Sequence, residues 1–283
     1  MADLSQRQDL AWLAEVVGDL AQGAVDIRPL LVGALARDLW LHHLHGHRID
    51  RATTDVDFAV AVSDWDHFAQ LRQHLLAHGV FVAHPRVDHK IRHRRHGWVD
   101  LVPFGAIEGA DGTIAWPPAG DHAMAVLGYA EAAATATVVT LPEGQSAHLV
   151  SLPMLTVLKV FAWGDRHDAT DGKDAADLGL ILRSYLDCGH LERFSTEFPE
   201  RLGDGFDFDA ASAWLAGRDA RAALRRCSTR YDLTIDGLRR ILDAALAPSR
   251  RSEWVAAFDR LNPGRGLSML SAYRAGLLDL SDA

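Results

Sequence analysis

Apolar residues recur at helical spacing near the start of the chain. Leu10, Leu13, Val17 and Leu20 share one face, Ser5 stands where a cap would, and Gly23 can end the segment. Pro29-Leu30-Leu31-Val32-Gly33 is a short apolar run closed by glycine, which predicts a buried strand entering a turn. Residues 35–45 predict a helix that stops at Gly46. The period then shortens. Residues 55–62, Asp-Val-Asp-Phe-Ala-Val-Ala-Val, predict a strand, and 64–78 predict a helix with Trp65, Phe68, Leu71 and Leu75 on one face and Gly79 after it. Strands are expected near 80–83, 87–94 and 97–104, the last two joined as a hairpin around Arg95-His96-Gly97. Further strand-like runs lie at 136–141 and 147–151.

Beyond Ser151 the pattern is helical, with segments at 152–164, 174–187, 210–216, 218–227, 234–247 and 252–260. The expected architecture is therefore α+β: a mixed sheet flanked by helices over residues 1–150, followed by a helical domain over 151–283. No repeat or low-complexity linker separates the two.

Composition narrows the class. With 48% hydrophobic and 24% charged residues, the chain is expected to fold around a full core. Its two cysteines cannot build a disulfide framework and fit a reducing, cytoplasmic setting. No apolar run reaches the roughly 18 residues of a membrane span, and the start does not read as a signal peptide. A net charge of −9 argues against a surface built to coat nucleic acid.

The sharpest chemical signal is Asp55-Val56-Asp57. On a strand, residues i and i+2 point to one face, about 6.6 Å apart. A solvated strand end explains a bare Asp-x-Asp; so does a pair of oxygen ligands for a hard divalent cation. Asp100 shifts the balance, because it interrupts the apolar run Val99-Asp100-Leu101-Val102 where an unpaired charge is costly. Placed on a neighbouring strand, it would bring three carboxylates to one point, the arrangement of a two-metal phosphoryl-transfer centre. Upstream, Val32-Gly33-Ala34-Leu35-Ala36-Arg37-Asp38 offers a strand-to-helix turn whose backbone N–H groups can face phosphate.

Gly33-Ala34, Arg51-x-Thr53-x-Asp55-Val56-Asp57 and Val99-Asp100-Leu101-Val102-Pro103-Phe104-Gly105 together resemble the nucleotidyltransferases of the DNA polymerase β superfamily. The similarity is greatest to the AbiEii-like group, whose studied members include toxins of bacterial toxin–antitoxin pairs. That group carries a later helical signature, similar here to Leu158-Lys159-Val160-Phe161-Ala162-Trp163-Gly164-Asp165-Arg166 and Lys173-Asp174-Ala175-Ala176-Asp177-Leu178. The resemblance spans residues 30–187 and leaves the last part of the chain without a motif. It implies Mg²⁺ or Mn²⁺ held by Asp55, Asp57 and Asp100. It also implies a triphosphate contact from Lys159, support from Asp174 or Asp177, and a nucleotide site drawing on Gly33, Ala34, Arg37, Thr54 and Arg166. The substrate would be an NTP, the acceptor an RNA, tRNA or protein, and a cognate antitoxin a possible partner. One departure is Gly33-Ala34 where the group has Gly-Gly or Gly-Ser; the turn works through backbone N–H groups either way.

Other features admit plainer readings. Lys159 sits in an apolar helix and can snorkel its amine to water; Asp174 and Asp177 can be acids favoured near a helix start. His42, His43, His45 and His47 are expected on a solvated helix face. Arg86, Lys90, Arg92, Arg94 and Arg95 against the single acid Asp88 make a basic hairpin, either solvated or a seat for triphosphate or RNA. Gly105 to Pro118 reads as a loop, with Trp116 packed in the core or stacking a base. Alternative functions are a tRNA-terminus or poly(A)-type polymerase, a small-molecule nucleotidylyltransferase of the aminoglycoside kind, and a non-catalytic nucleotide-binding module.

Overall fold

The computed structural model describes residues 2–24, 26–49, 53, 55–117, 120, 123–166, 172–248, 257–259 and 262–279. The chain forms two compact units, residues 1–151 and 152–283.

The first unit is a mixed sheet with helices. Its strands are β1 (Ala2–Asp3), β2 (Leu30–Val32), β3 (Val56–Val62), β4 (Phe81–Ala83), β5 (Lys90–His93), β6 (Gly97–Gly105), β7 (Thr113–Ala115), β8 (Ala123–Ala125), β9 (Thr137–Thr140) and β10 (Ser146–Leu149). Among the described residues the main sheet runs β1-β9-β10-β2-β3-β6-β5-β4, and β7 pairs with β8 alone. The pairs β1–β9, β10–β2 and β3–β6 are parallel. The β5–β6 hairpin turns where the sequence predicts it, and His93 lies opposite Gly97.

The helices of this unit are α1 (Ala11–Gly23), α2 (Gly33–Asp38), α3 (Trp65–Ala77) and α4 (Tyr129–Ala134). Ser5 does not cap α1. Its N–H donates to Asp3 Oδ1 instead, and α1 starts after a 3-10 turn at Gln8–Leu10. Asp64 does cap α3, accepting from His67 N–H at 2.8 Å. The helix expected over 35–45 begins at Gly33 and widens into a π-helix at Leu39–Leu44. One face of the central strands, with Val56, Phe58, Ile91 and Val99, is buried. On that face α1 meets the hairpin, where His93 Nε2 lies 2.9 Å from Asp19 Oδ2.

The stretch expected as a loop after Gly105 holds β7, and Trp116 packs in an aromatic cluster. Its ring centroid lies 5.3 Å from Trp65, 6.1 Å from Phe68 and 4.5 Å from His89. The histidines of the π-helix region are half-buried rather than solvated: His42 Nδ1 lies 2.9 Å from His47 O, and His45 stacks on Trp40. Burial, with the Arg7 charge, pushes the His43 imidazole down to about 4.

The second unit is helical: α5 (Leu152–Arg166), α6 (Lys173–Ser184), α7 (Leu191–Glu197), α8 (Phe208–Cys227), α9 (Tyr231–Leu246) and α10 (Pro263–Leu278). The break expected at Gly217 is absent, and α8 runs through it. The glycine serves packing instead. A Cβ at Gly217 would come within 2.9 Å of Leu277 N, and one at Gly276 within 3.0 Å of Arg218 N, so α8 and α10 cross backbone to backbone. Of the helix expected over 252–260, residues 252–256 and 260 lie outside the described residues. No helix among the described residues is long and apolar enough to cross a membrane.

Candidate metal centre

The β2–β3–β6–β5 order brings the carboxylate candidates to adjacent strands. Asp57 pairs in register with Asp100 across the parallel β3–β6 ladder, while Val32 and Lys90 flank them on β2 and β5. Register partners share a face, and neighbouring strands lie about 4.8 Å apart. Asp57 and Asp100 therefore stand side by side on the face opposite Val56 and Val99. Asp55 lies one residue ahead of β3 and is exposed. Arg51 and Thr54 lie outside the described residues.

Gly33 fixes the space around Asp57. Its φ of +75° is one an L side chain rarely adopts, and a Cβ there would collide with the Asp57 carboxylate, whose Cγ would stand 2.7 Å away. The glycine that the sequence offers as a phosphate turn thus also seats the acid. Ala34 follows it in α2.

Asp100 is held on one side only. Lys90 Nζ lies 3.2 Å from Asp100 Oδ2, whereas Oδ1 is buried with no hydrogen-bond partner among the described residues. A buried acceptor without a donor is costly, so such an atom marks a place where a ligand is expected. The donors are hard carboxylate oxygens, which suit Mg²⁺ or Mn²⁺. Close by, burial pushes the His89 imidazole down against the pull of Asp100.

Arg37 is 7% exposed and its Nε donates to Asp38 Oδ1 at 2.7 Å. To touch nucleotide it would have to turn away from that pair. Of the basic run, Arg94 Nε donates to Gly79 O and Arg95 pairs with Glu15, while Arg92 is exposed on the face shared with Lys90 and Asp100.

In the helical unit, Lys159 does not reach for water. Its side chain is 7% exposed, and Nζ lies 3.0 Å from Asp174 Oδ1 and 2.6 Å from Asp177 Oδ2. Arg166 Nε reaches Asp174 Oδ2 at 3.0 Å. Burial works to lower the Lys159 pKa, but the charges and hydrogen bonds of Asp177 and Asp174 outweigh it and raise it. Burial likewise works to raise Asp174, and Lys159 and Arg166 hold it below the ordinary carboxylate value. The two halves of the helical signature therefore join in one ion cluster, with Lys159 and Asp174 buried and Arg166 exposed.

A second convergence was not anticipated. Ligand atoms of Glu15, Asp19 and His93 lie within 4.8 Å of one another, and His96 Nε2 reaches Glu15 at 2.5 Å. Its hydrogen bonds argue against a metal. His93 Nδ1 accepts from Arg95 N–H, so in the neutral ring Nε2 carries the hydrogen and donates to Asp19.

No family model matches the chain, and no curated protein sequence matches it. Among solved structures it is similar to the antibiotic-resistance factor ANT(2'')-Ia at 12% identity and a TM-score of 0.35. The likeness covers 67% of this chain and 92% of that one. So distant a likeness says nothing about chemistry.

Proposed function

We propose that this chain is a divalent-metal-dependent nucleotidyltransferase. The observation that carries the reading is the Asp57–Asp100 register pair, with Asp57 seated on Gly33 and Asp100 Oδ1 buried without a donor among the described residues. Asp55, Asp57 and Asp100 would hold Mg²⁺ or Mn²⁺. Such an ion would supply charge neutralisation on the phosphates and activation of the acceptor hydroxyl.

The reaction is in-line attack by an acceptor hydroxyl on the α-phosphorus of an NTP. A new oxygen–phosphorus bond forms, the α–β bridge breaks, and pyrophosphate leaves. The chain's own part is positioning. Gly33 leaves room for the Asp57 carboxylate, and Lys90 turns Asp100 so that Oδ1 faces away from its ion pair. No serine, cysteine or histidine nucleophile is needed, because rate comes from alignment and electrostatics.

The resemblance to the AbiEii-like group is the ground for taking RNA, tRNA or protein as the acceptor, and a toxin role with a cognate antitoxin. On the same ground Lys159 is taken as a contact to the triphosphate and Asp174 or Asp177 as support for the site, with Gly33, Ala34, Arg37, Thr54 and Arg166 near the nucleotide.

The test is incubation of the protein with each α-labelled NTP, Mg²⁺ and total cellular RNA or protein. Label should move to one fraction with release of pyrophosphate, and both should vanish in Asp57→Asn. Nucleotide binding without transfer to any fraction would favour a non-catalytic module.

A further inference from the structure

Lys90 is the register partner of Asp100 on the strand beyond it, so Asp57, Asp100 and Lys90 form one row across three neighbouring strands. Its ammonium is salt-bridged to Asp100 Oδ2 at 3.2 Å and lies 5.8 Å from the Trp98 ring centroid. The side chain is 26% exposed, so water has access to it. A cation thus already stands beside the carboxylates, bound to one oxygen of Asp100 while the other is buried with no partner among the described residues.

We propose that Lys90 is a stand-in cation that makes the metal enter with the nucleotide. The inference rests on the nucleotidyltransferase reading. In the nucleotide-free protein, the ammonium compensates Asp100 and opposes a bare divalent ion at the same row. Even with water's dielectric constant, a unit charge about 6 Å from a divalent ion weakens its binding by about tenfold. A metal–NTP complex carries net negative charge, so the same ammonium attracts it. The sign of Lys90's effect therefore reverses between the free ion and the complex, which a lysine serving only the fold would not produce.

The experiment measures two affinities on the intact chain. One is for free Mn²⁺, by electron paramagnetic resonance titration. The other is for Mn²⁺ with an NTP analogue blocked at the α–β bridge, by calorimetry. Lys90→Met should bind free Mn²⁺ about tenfold more tightly and the complex more weakly by a similar factor. Lys90→Arg should keep both wild-type affinities. Equal or weaker Mn²⁺ binding by Lys90→Met, or both affinities moving the same way, would overturn the inference. Asp57→Asn separates the two levels. If it abolishes Mn²⁺ binding while Lys90→Met changes nothing, the inference fails and the carboxylate centre stands. If it leaves Mn²⁺ binding intact, both fall.

Discussion

The Asp57 carboxylate occupies the space in which a side chain at Gly33 would have to stand. Two unrelated demands meet at that glycine: a φ of +75° and the volume of a candidate metal ligand on the neighbouring strand. Gly33→Ala should therefore cost about 1–3 kcal/mol in backbone strain and also push Asp57 out of its row. Thermal melting should show the first effect and Mn²⁺ titration the second, as weaker binding than wild type. Unchanged Mn²⁺ affinity in a folded Gly33→Ala protein would mean that Asp57 is not a ligand.

Lys159 carries a different expectation. A lysine that merely snorkels to water could be replaced with little effect. Here Lys159 is buried between Asp174 and Asp177, and removing it takes one cation from both acids and leaves Asp174 with Arg166. Lys159→Met should destabilise the protein, by less than the about 3–5 kcal/mol of a fully stranded buried charge because Arg166 still faces Asp174, measured by denaturant unfolding. Asp174→Asn combined with Lys159→Met should recover much of that loss. If the double variant folds well yet transfers no nucleotide, the Lys159–Asp174 pair serves the reaction as well as the fold. Full activity in it would reduce the cluster to a structural role.

Acid should reveal His43. Its folded-state pKa is about 4, below the ordinary 6.5, because burial and the Arg7 charge oppose protonation. A group whose pKa falls on folding contributes stability that is complete above its unfolded value and is lost as pH drops through the folded one. Wild-type melting temperature should thus fall between about pH 6.5 and pH 4. His43→Gln should flatten that part of the curve relative to wild type. An identical slope in the variant would assign the acid response to other groups.

Much of the sheet was legible because its strands alternate. Val56, Phe58 and Val60 face inward while Asp57 does not, and the parallel register of Asp57 with Asp100 follows once β3 and β6 are neighbours. The helical half was harder to read. Gly217 looks like a helix break in one dimension and is a crossing point in three, because it lies against the backbone of Tyr273 and Leu277. The helix at Pro263–Leu278 was missed, although Asn262 followed by Pro263 is a start signal; the Asn262 side chain accepts from Arg265 N–H. Lys90 was visible only as one member of a basic run. Its pairing depends on hairpin register, which residue counting around Arg95-His96-Gly97 could have supplied. The partners of Lys159 stand on the next helix, and no local pattern shows whether such acids face a ligand or the lysine itself.

The central claim is that the Asp57–Asp100 row is a divalent-metal centre, and crystals soaked with Mn²⁺ and an NTP analogue blocked at the α–β bridge test it most directly. The account predicts anomalous density for Mn²⁺ beside Asp57 and Asp100 Oδ1, at metal–oxygen distances of about 2.0–2.2 Å, with Asp55 drawn in from its exposed position. Mn²⁺ found instead at Glu15, Asp19 and His93, with none at Asp57, would contradict it.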